Sequence, residues 1–205
     1  MHKYDNILLI QLFSNGDCLF ATTVARQIKN DFPGCKLTWA ISTKCKSIIL
    51  NNPYVDEIEE INISNQAENL AFFEQFVNQS FEKKRRGIYS QVFVSQVLGD
   101  NFSKYDGIVC TSIYRCYGRR ITVDTTPILK LTQAEIQQAQ KFALTNKLSS
   151  FENVVLFECA PQSSQLKLTR PMIHEYCLKI LEQANTCVIL SAPTAYDFEH
   201  PNIID

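Results

Sequence analysis

The sequence lacks a Cys-x-x-Cys pair, has only three histidines and six glycines, carries almost no net charge and contains no long apolar run. Each shortage removes a class of function. Eight cysteines without metal-ligand spacing, beside so few histidines, leave a zinc site without a ligand set, and scattered buried thiols in a reducing compartment account for them better. A formal net charge of −1 and a pI near 6.3 give no global pull toward nucleic acid or an anionic surface, so no nucleic-acid partner is expected. The apolar stretch that starts at Ile7 is too short to span a bilayer, and Tyr4-Asp5-Asn6 interrupts any signal-peptide pattern. The expectation is a soluble cytoplasmic protein, with peripheral contact to an inner membrane left open. Gly16 is the single glycine of the first turn, where a dinucleotide fingerprint needs three, which argues against a nicotinamide- or flavin-dependent oxidoreductase.

What is present is hydrophobic content of 45% over 205 residues, enough for a substantial core. The stretch Ile7 to Lys29 reads as strand, tight turn and helix, the turn being Ser14-Asn15-Gly16-Asp17. The Ile-Leu-Leu-Ile run suits a parallel strand covered on both faces, over Asn6 to Leu12. After Asp17 the spacing places Ala21, Val24, Ala25, Ile28 and Phe32 on one helical stripe, with Arg26, Lys29 and Asn30 facing away, until Pro33-Gly34 stops the helix. A second strand at Lys36 to Ile41 completes a βαβ unit. Such a unit sets its first turn at the carboxyl edge of a parallel sheet, where open α/β folds bind ligands.

Further on, the pattern predicts a short helix to Leu50, a strand over Val55 to Ile63, and a helix from Gln66 to Phe81 with Leu70, Phe73, Val77 and Phe81 on one face and Phe72 and Phe76 beside it. That helix closes on Lys83-Lys84-Arg85-Arg86-Gly87: either a core helix whose cations suit the macrodipole and whose Gly87 is a left-handed cap, or an aromatic, basic-tipped element facing a membrane surface or an anionic acceptor. Strands are expected at Gln91 to Val97 and Gly107 to Cys110, then a segment in which Arg115, Arg119 and Arg120 with two tyrosines could grip a phosphate or carboxylate or simply be solvated. Thr132 and Glu135 form a capping-box pattern, so a helix starts near Gln133 within a connector over 127–150. A second unit opens with the strand Asn153 to Phe157, then a loop, a helix after Thr169 with Pro171 in its first turn, and a strand from Thr186 to Ser191. The stretch 151–205 is short of the roughly 100 residues that a domain of this kind needs.

These residues, in this order, resemble glycosyltransferase family 9, the ADP-heptose:lipopolysaccharide heptosyltransferases and their relatives. The resemblance is carried by ILLIQLFSNGDCLFATTVARQIKNDFPGCKLTWAIS with its Gly16-Asp17, by NNPYVDEI from Asn51 to Ile58, by PILKLTQAEIQQAQKFA and by VVLFECAPQSSQLKLTRPMI, in register from Ile7 to Pro193. It implies an α/β fold of GT-B type: a Rossmann-like parallel-sheet N-terminal domain on the acceptor side, over 1–126, and an incomplete second Rossmann-like domain for the nucleotide sugar. The implied activity is inverting transfer of a heptose or hexose from a nucleoside-diphosphate donor, ADP-heptose in the family, to a lipopolysaccharide or related glycan acceptor. No cofactor and no metal are implied.

The resemblance makes Asp17 the catalytic acid, acting as general base on the acceptor hydroxyl; the neighbouring Asn15 and Gly16 and the arginine group Arg115, Arg119 and Arg120 are the candidates for acceptor contacts. A helix start favours the ionised form of Asp17, so burial has to push its pKa the other way, and a simple helix-capping role stays open. Lys167 matches the basic residue that neutralises the donor diphosphate, and Ser163, Ser164 and Thr169 stand near enough in sequence to hydrogen-bond the same anion. Gln11 and Val24 stand where many relatives have arginine and proline, and the family's later Asp-Ser/Thr-Gly-x-x-His segment has no counterpart. A non-catalytic remnant or interaction module that keeps the acceptor-side domain is the alternative.

Overall fold

The computed structural model describes residues 6–63, 69–160 and 167–205. Asn6–Ile10 form β1, Lys36–Ser42 β2, Glu57–Ile61 β3 and Gln91–Val94 β4, all parallel, in the sheet order β3-β2-β1-β4. The central strand explains its own composition: Ile7, Leu8, Leu9 and Ile10 are all fully buried because both faces of the sheet are covered. Helix α1, Asn15–Asp31, and helix α3, Val109–Tyr117, pack with Ile7, Leu9, Leu37, Trp39 and Ile41 on one face. Helix α2, Asn69–Arg85, packs with Leu8, Ile10 and Val92 on the other.

The α1 stripe is buried as its spacing requires: Ala21, Val24, Ala25 and Ile28 are fully enclosed and Phe32 nearly so. Arg26 does not face away; it lies against the Tyr54 ring and is tied to Asp124. In α2 the buried stripe is rotated from the expected one. Phe73 and Phe76 are enclosed, with Phe72 and Val77 beside them, whereas Leu70 and Phe81 lie at the exposed margins. Gly87 is the left-handed residue after α2, its N–H on the Lys84 carbonyl and that of Ile88 on the Lys83 carbonyl. The basic tip is engaged within the fold: Lys83 pairs with Glu59 at 3.2 Å, Lys84 donates to Gln91 at 2.9 Å, and Arg85 pairs with Glu82.

The strand expected at Gly107 to Cys110 is instead the start of α3. Asp106 ties the chain entering this helix to its first turn, because its carboxylate accepts from the N–H of the N-cap residue Ile108 and from the Thr111 and Ser112 hydroxyls. Ile113, Cys116 and Tyr117 then carry the buried face.

Two compact units result, Met1–Leu131 and Thr132–Asp205. Pro127 to Leu131 runs with the first, Ile128 N–H donating to the Thr22 hydroxyl at 2.9 Å. The second unit opens with α4, Gln133–Thr145, and its capping box is complete: the Glu135 N–H donates to the Thr132 hydroxyl at 3.1 Å, and the Thr132 N–H to the Glu135 carboxylate at 2.6 Å. Thr132→Ala is expected to lower stability by about 1 kcal/mol, read as a shift in a urea midpoint with unchanged slope. Strands β5, Asn153–Glu158, β6, Thr186–Ser191, and β7, Ile203–Ile204, form a parallel sheet in that order, packed on α5, Arg170–Leu181, through Ile173, Cys177, Val188 and Leu190. Thr169 is the N-cap position of α5 and Pro171 lies in its first turn. Val154 and Leu156 of β5 point away from that core and are exposed.

Candidate functional site

Beyond Ile10 the backbone of β1 stays held to β2, with Gln11 N–H on the Ala40 carbonyl and Ser42 N–H on the Leu12 carbonyl. The chain then turns into α1 through Ser14, which takes φ 65° and ψ 119°, outside the regions that residues with a Cβ prefer. Gly16 does not make the turn: it is already helical, and the positive φ falls on Ser14. A Cβ built on Gly16 meets nothing within 4 Å. Gly16→Ala is therefore expected to fold and to be more stable by about 0.5–1 kcal/mol, raising Tm by about 1–3 °C; a matching loss of turnover would place the acceptor against this position.

Asp17 sits in the first turn of α1, half-buried, and its side chain takes no hydrogen bond from any described residue. It does not cap the helix. The cap position belongs to Ser14, whose hydroxyl makes no capping bond either, so the first N–H groups of α1 and the neighbouring carboxylate are left without protein partners among the described residues. Burial raises the Asp17 pKa above the ordinary 3.8. This is the direction a general base needs, since a carboxylate at its ordinary value is a weak proton acceptor near neutrality.

Two thiols stand beside it. Cys45, in the short 3₁₀ turn Thr43–Ile48, is held down to about 6 by a hydrogen bond from Cys18, with help from the Ser42 hydroxyl and the Ser14 N–H. The same Cys18 contact, with burial, pushes the Cys18 thiol up. Asp17 repels negative charge on both. Gln11 is fully buried and spends its amide inside the fold, donating to the Phe13 carbonyl at 3.3 Å and accepting from the Ser95 hydroxyl at 3.0 Å.

Asn15, Gly16 and Asp17 are together on one helix turn; Arg119 is not with them, and Arg115 and Arg120 make no hydrogen bond or ion pair to them among the described residues. Arg119 pairs with Asp31 at 3.5 Å and lies over the Phe32 ring. Asp31 is 14 residues further along α1 than Asp17, which at 1.5 Å per residue puts Arg119 about 21 Å away at the other end of the helix. Arg115 is paired at 2.8 Å with Asp106, whose carboxyl is held below its usual range by the Ile108 N–H and the Ser112 and Thr111 hydroxyls. Arg120 is exposed two residues beyond the α3 cap, Gly118. In the second unit Lys167 and Thr169 are exposed just ahead of α5, and the Thr169 hydroxyl makes no capping bond. Ser163 and Ser164 lie outside the described residues. Among the described residues no group of histidine, cysteine and acidic side chains could hold a metal ion, and no helix is long and apolar enough to cross a membrane.

Comparison of the whole fold with solved structures gives a consistent class. A glycosyl transferase of family 9 from Veillonella parvula aligns with a TM-score of 0.62 at 10% identity, over 93% of this chain and 63% of that one. The ADP-heptose lipopolysaccharide heptosyltransferase II of Escherichia coli aligns at 0.55 with 13% identity, over 90% and 63%. The E. coli heptosyltransferase WaaC, bound to ADP-2-deoxy-2-fluoro heptose, aligns at 0.52 with 14% identity, over 92% and 70%. The two parallel α/β units thus have the fold of GT-B glycosyltransferases. Within that class the chain is similar to family 9 and its heptosyltransferases, and it spans about 63% of the length of the first two. No protein-family model and no curated protein matches it in sequence.

Proposed function

We propose that this chain serves sugar transfer with inversion, from a nucleoside diphosphate donor such as ADP-heptose to a hydroxyl of a lipopolysaccharide or related glycan. The observation that carries the reading is Asp17: a half-buried carboxylate, unpartnered among the described residues, at the carboxyl end of the central strand of a glycosyltransferase-like fold. In the transfer step Asp17 accepts the acceptor hydroxyl proton as that oxygen attacks the anomeric carbon. The bond from that carbon to the donor diphosphate breaks on the opposite face, and the diphosphate leaves with the electron pair. The first unit supplies the base, with Asn15 and Gly16 alongside for acceptor contacts. Arg115 and Arg120 are further candidates for acceptor contacts, and Arg119 joins them only if the glycan extends along α1 toward its far end, where that side chain is anchored.

The second unit supplies the donor contacts. Lys167 and Thr169, with Ser163 and Ser164 as further donors by the family resemblance, meet the diphosphate at the start of α5, whose N-cap makes no side-chain bond among the described residues and whose helix dipole favours an anion. Neutralising the leaving group in this way needs no metal. Titration calorimetry with ADP and an ADP-sugar tests the donor half. Micromolar binding by the wild-type chain that weakens about tenfold or more in Lys167→Ala is expected, and unchanged affinity in the variant removes Lys167 from the site.

A further inference from the structure

The turn that carries Asp17 is held from a strand that ends far from it in sequence. Leu12 and Phe13 are the last residues before Ser14, and the backbone N–H groups of both donate to one atom, the side-chain amide oxygen of Gln96, at 3.0 and 2.9 Å. Gln96 follows β4, is only 5% exposed, and so cannot itself touch a substrate. It is fixed in turn: Asn101 donates to its backbone carbonyl at 3.1 Å and to that of Val94 at 2.9 Å. A second strut runs parallel, Ser95 hydroxyl to Gln11 amide oxygen at 3.0 Å, with the Gln11 amide nitrogen on the Phe13 carbonyl at 3.3 Å.

These bonds explain how Ser14 keeps a conformation that its own side chain does nothing to support. Strained residues persist where their surroundings over-determine them. Here one amide oxygen pins both residues ahead of the strained link, and α1 pins the residues after it. The direction in which Asp17 leaves the sheet is then set by the separation between β1 and the end of β4.

We propose that Gln96 is the positioning residue for Asp17, holding the Leu12–Phe13 segment so that the strained Ser14 link aims the carboxylate out of the sheet edge. The inference rests on Asp17 being the base, yet its physical part can be measured without any transfer. The titratable groups against the turn besides Asp17 are Cys18 on α1 and Cys45 on the 3₁₀ turn, and Gln96 is uncharged, so replacing it with another neutral side chain leaves the local charges as they were.

Three variants decide the matter. Gln96→Met keeps length and removes the acceptor, Gln96→Asn keeps an amide but shortens its reach, and Gln96→Glu keeps an acceptor for both N–H groups. Backbone amide exchange by NMR is expected to accelerate at least tenfold at Leu12 and Phe13 in the Met and Asn variants and to stay near wild type in the Glu variant. The Asp17 carboxyl carbon, followed by NMR, is expected to titrate closer to the ordinary aspartate value in the Met and Asn variants, and their kcat is expected to fall about tenfold or more with KM little changed. Unaltered exchange at Leu12 and Phe13, or faster exchange with an unmoved Asp17 titration, overturns the positioning role. If the two NMR changes occur while the wild-type chain transfers no sugar, the positioning stands and the transferase reading fails. Should the Met variant not fold, the Asn variant carries both measurements.

Discussion

Asp17→Asn is expected to lower sugar transfer by about 10²–10⁴-fold while leaving donor affinity within about twofold, because the amide keeps the shape of the side chain but cannot take the acceptor proton. The same substitution is expected to stabilise the folded chain at neutral pH. The sign follows from the raised pKa: the folded protein holds a proton on Asp17 over a range where the unfolded chain has released it. The stability linked to this group is therefore greatest below the ordinary aspartate value and declines as pH rises through the folded one. Above that range the carboxylate is ionised in a half-buried place with no hydrogen-bond partner among the described residues. Denaturant midpoints measured from pH 3 to 8 should fall away more steeply with rising pH in the wild type than in the variant. A variant that is both inactive and less stable at pH 7 would instead mark Asp17 as a structural group.

The largest expected stability effect lies one strand away. Trp39 in β2 is fully buried under α1, and its indole N–H donates to the Gln11 carbonyl at 3.1 Å. Trp39→Ala removes a large side chain from a close-packed core and leaves the buried Gln11 carbonyl with only the weak Cys18 thiol donor at 3.8 Å, and a loss of about 3–5 kcal/mol is expected. For a chain of this size that is a drop in Tm on the order of 10 °C, measurable by calorimetry. Trp39→Phe separates the two contributions, since it refills most of the volume and loses only the hydrogen bond, at about 1–3 kcal/mol. Because Gln11 also braces the Phe13 carbonyl, the phenylalanine variant should lose activity beyond its loss of stability. If Trp39→Phe is fully active, the strut from Gln11 does not reach the Asp17 turn.

Much of the framework was legible because local signals and tertiary packing agree. The β1 run, the α1 stripe, the capping box at Thr132 and the start of α5 after Thr169 each combine a periodicity with a cap or a breaker. Where a local signal was ambiguous, the outcome goes with contacts made elsewhere. Ile108 to Cys110 is as compatible with a strand as with a helix, and Asp106 ties it to the first turn of a helix through hydrogen bonds that a pattern of apolar residues does not encode. In α2 six apolar side chains fit two overlapping faces, and the sheet chose the one centred on Phe73 and Phe76.

The candidate site was legible only in part. Asp17 stands out through its place after the first strand and through the family resemblance, and so do Lys167 and Thr169 ahead of α5. The arginines were grouped by nearness in sequence, but α3 directs Arg115 to Asp106 and carries Arg119 to the far end of α1, so that nearness does not become a shared site. Gln96 is invisible to a local reading, because its partners are 84 and 83 residues earlier and a glutamine in a loop carries no motif. The burden placed on Ser14 was likewise hidden, since Gly16 is the residue that a turn-forming rule selects.

The most direct measurement is product analysis by NMR after the full chain is incubated with an ADP-sugar and a glycan hydroxyl acceptor, wild type beside Asp17→Asn. The account predicts release of ADP coupled to a new glycosidic bond whose anomeric configuration is inverted from the donor, with both signals lost in the variant. Equal turnover by the two proteins, or a product that retains the donor configuration, would contradict it.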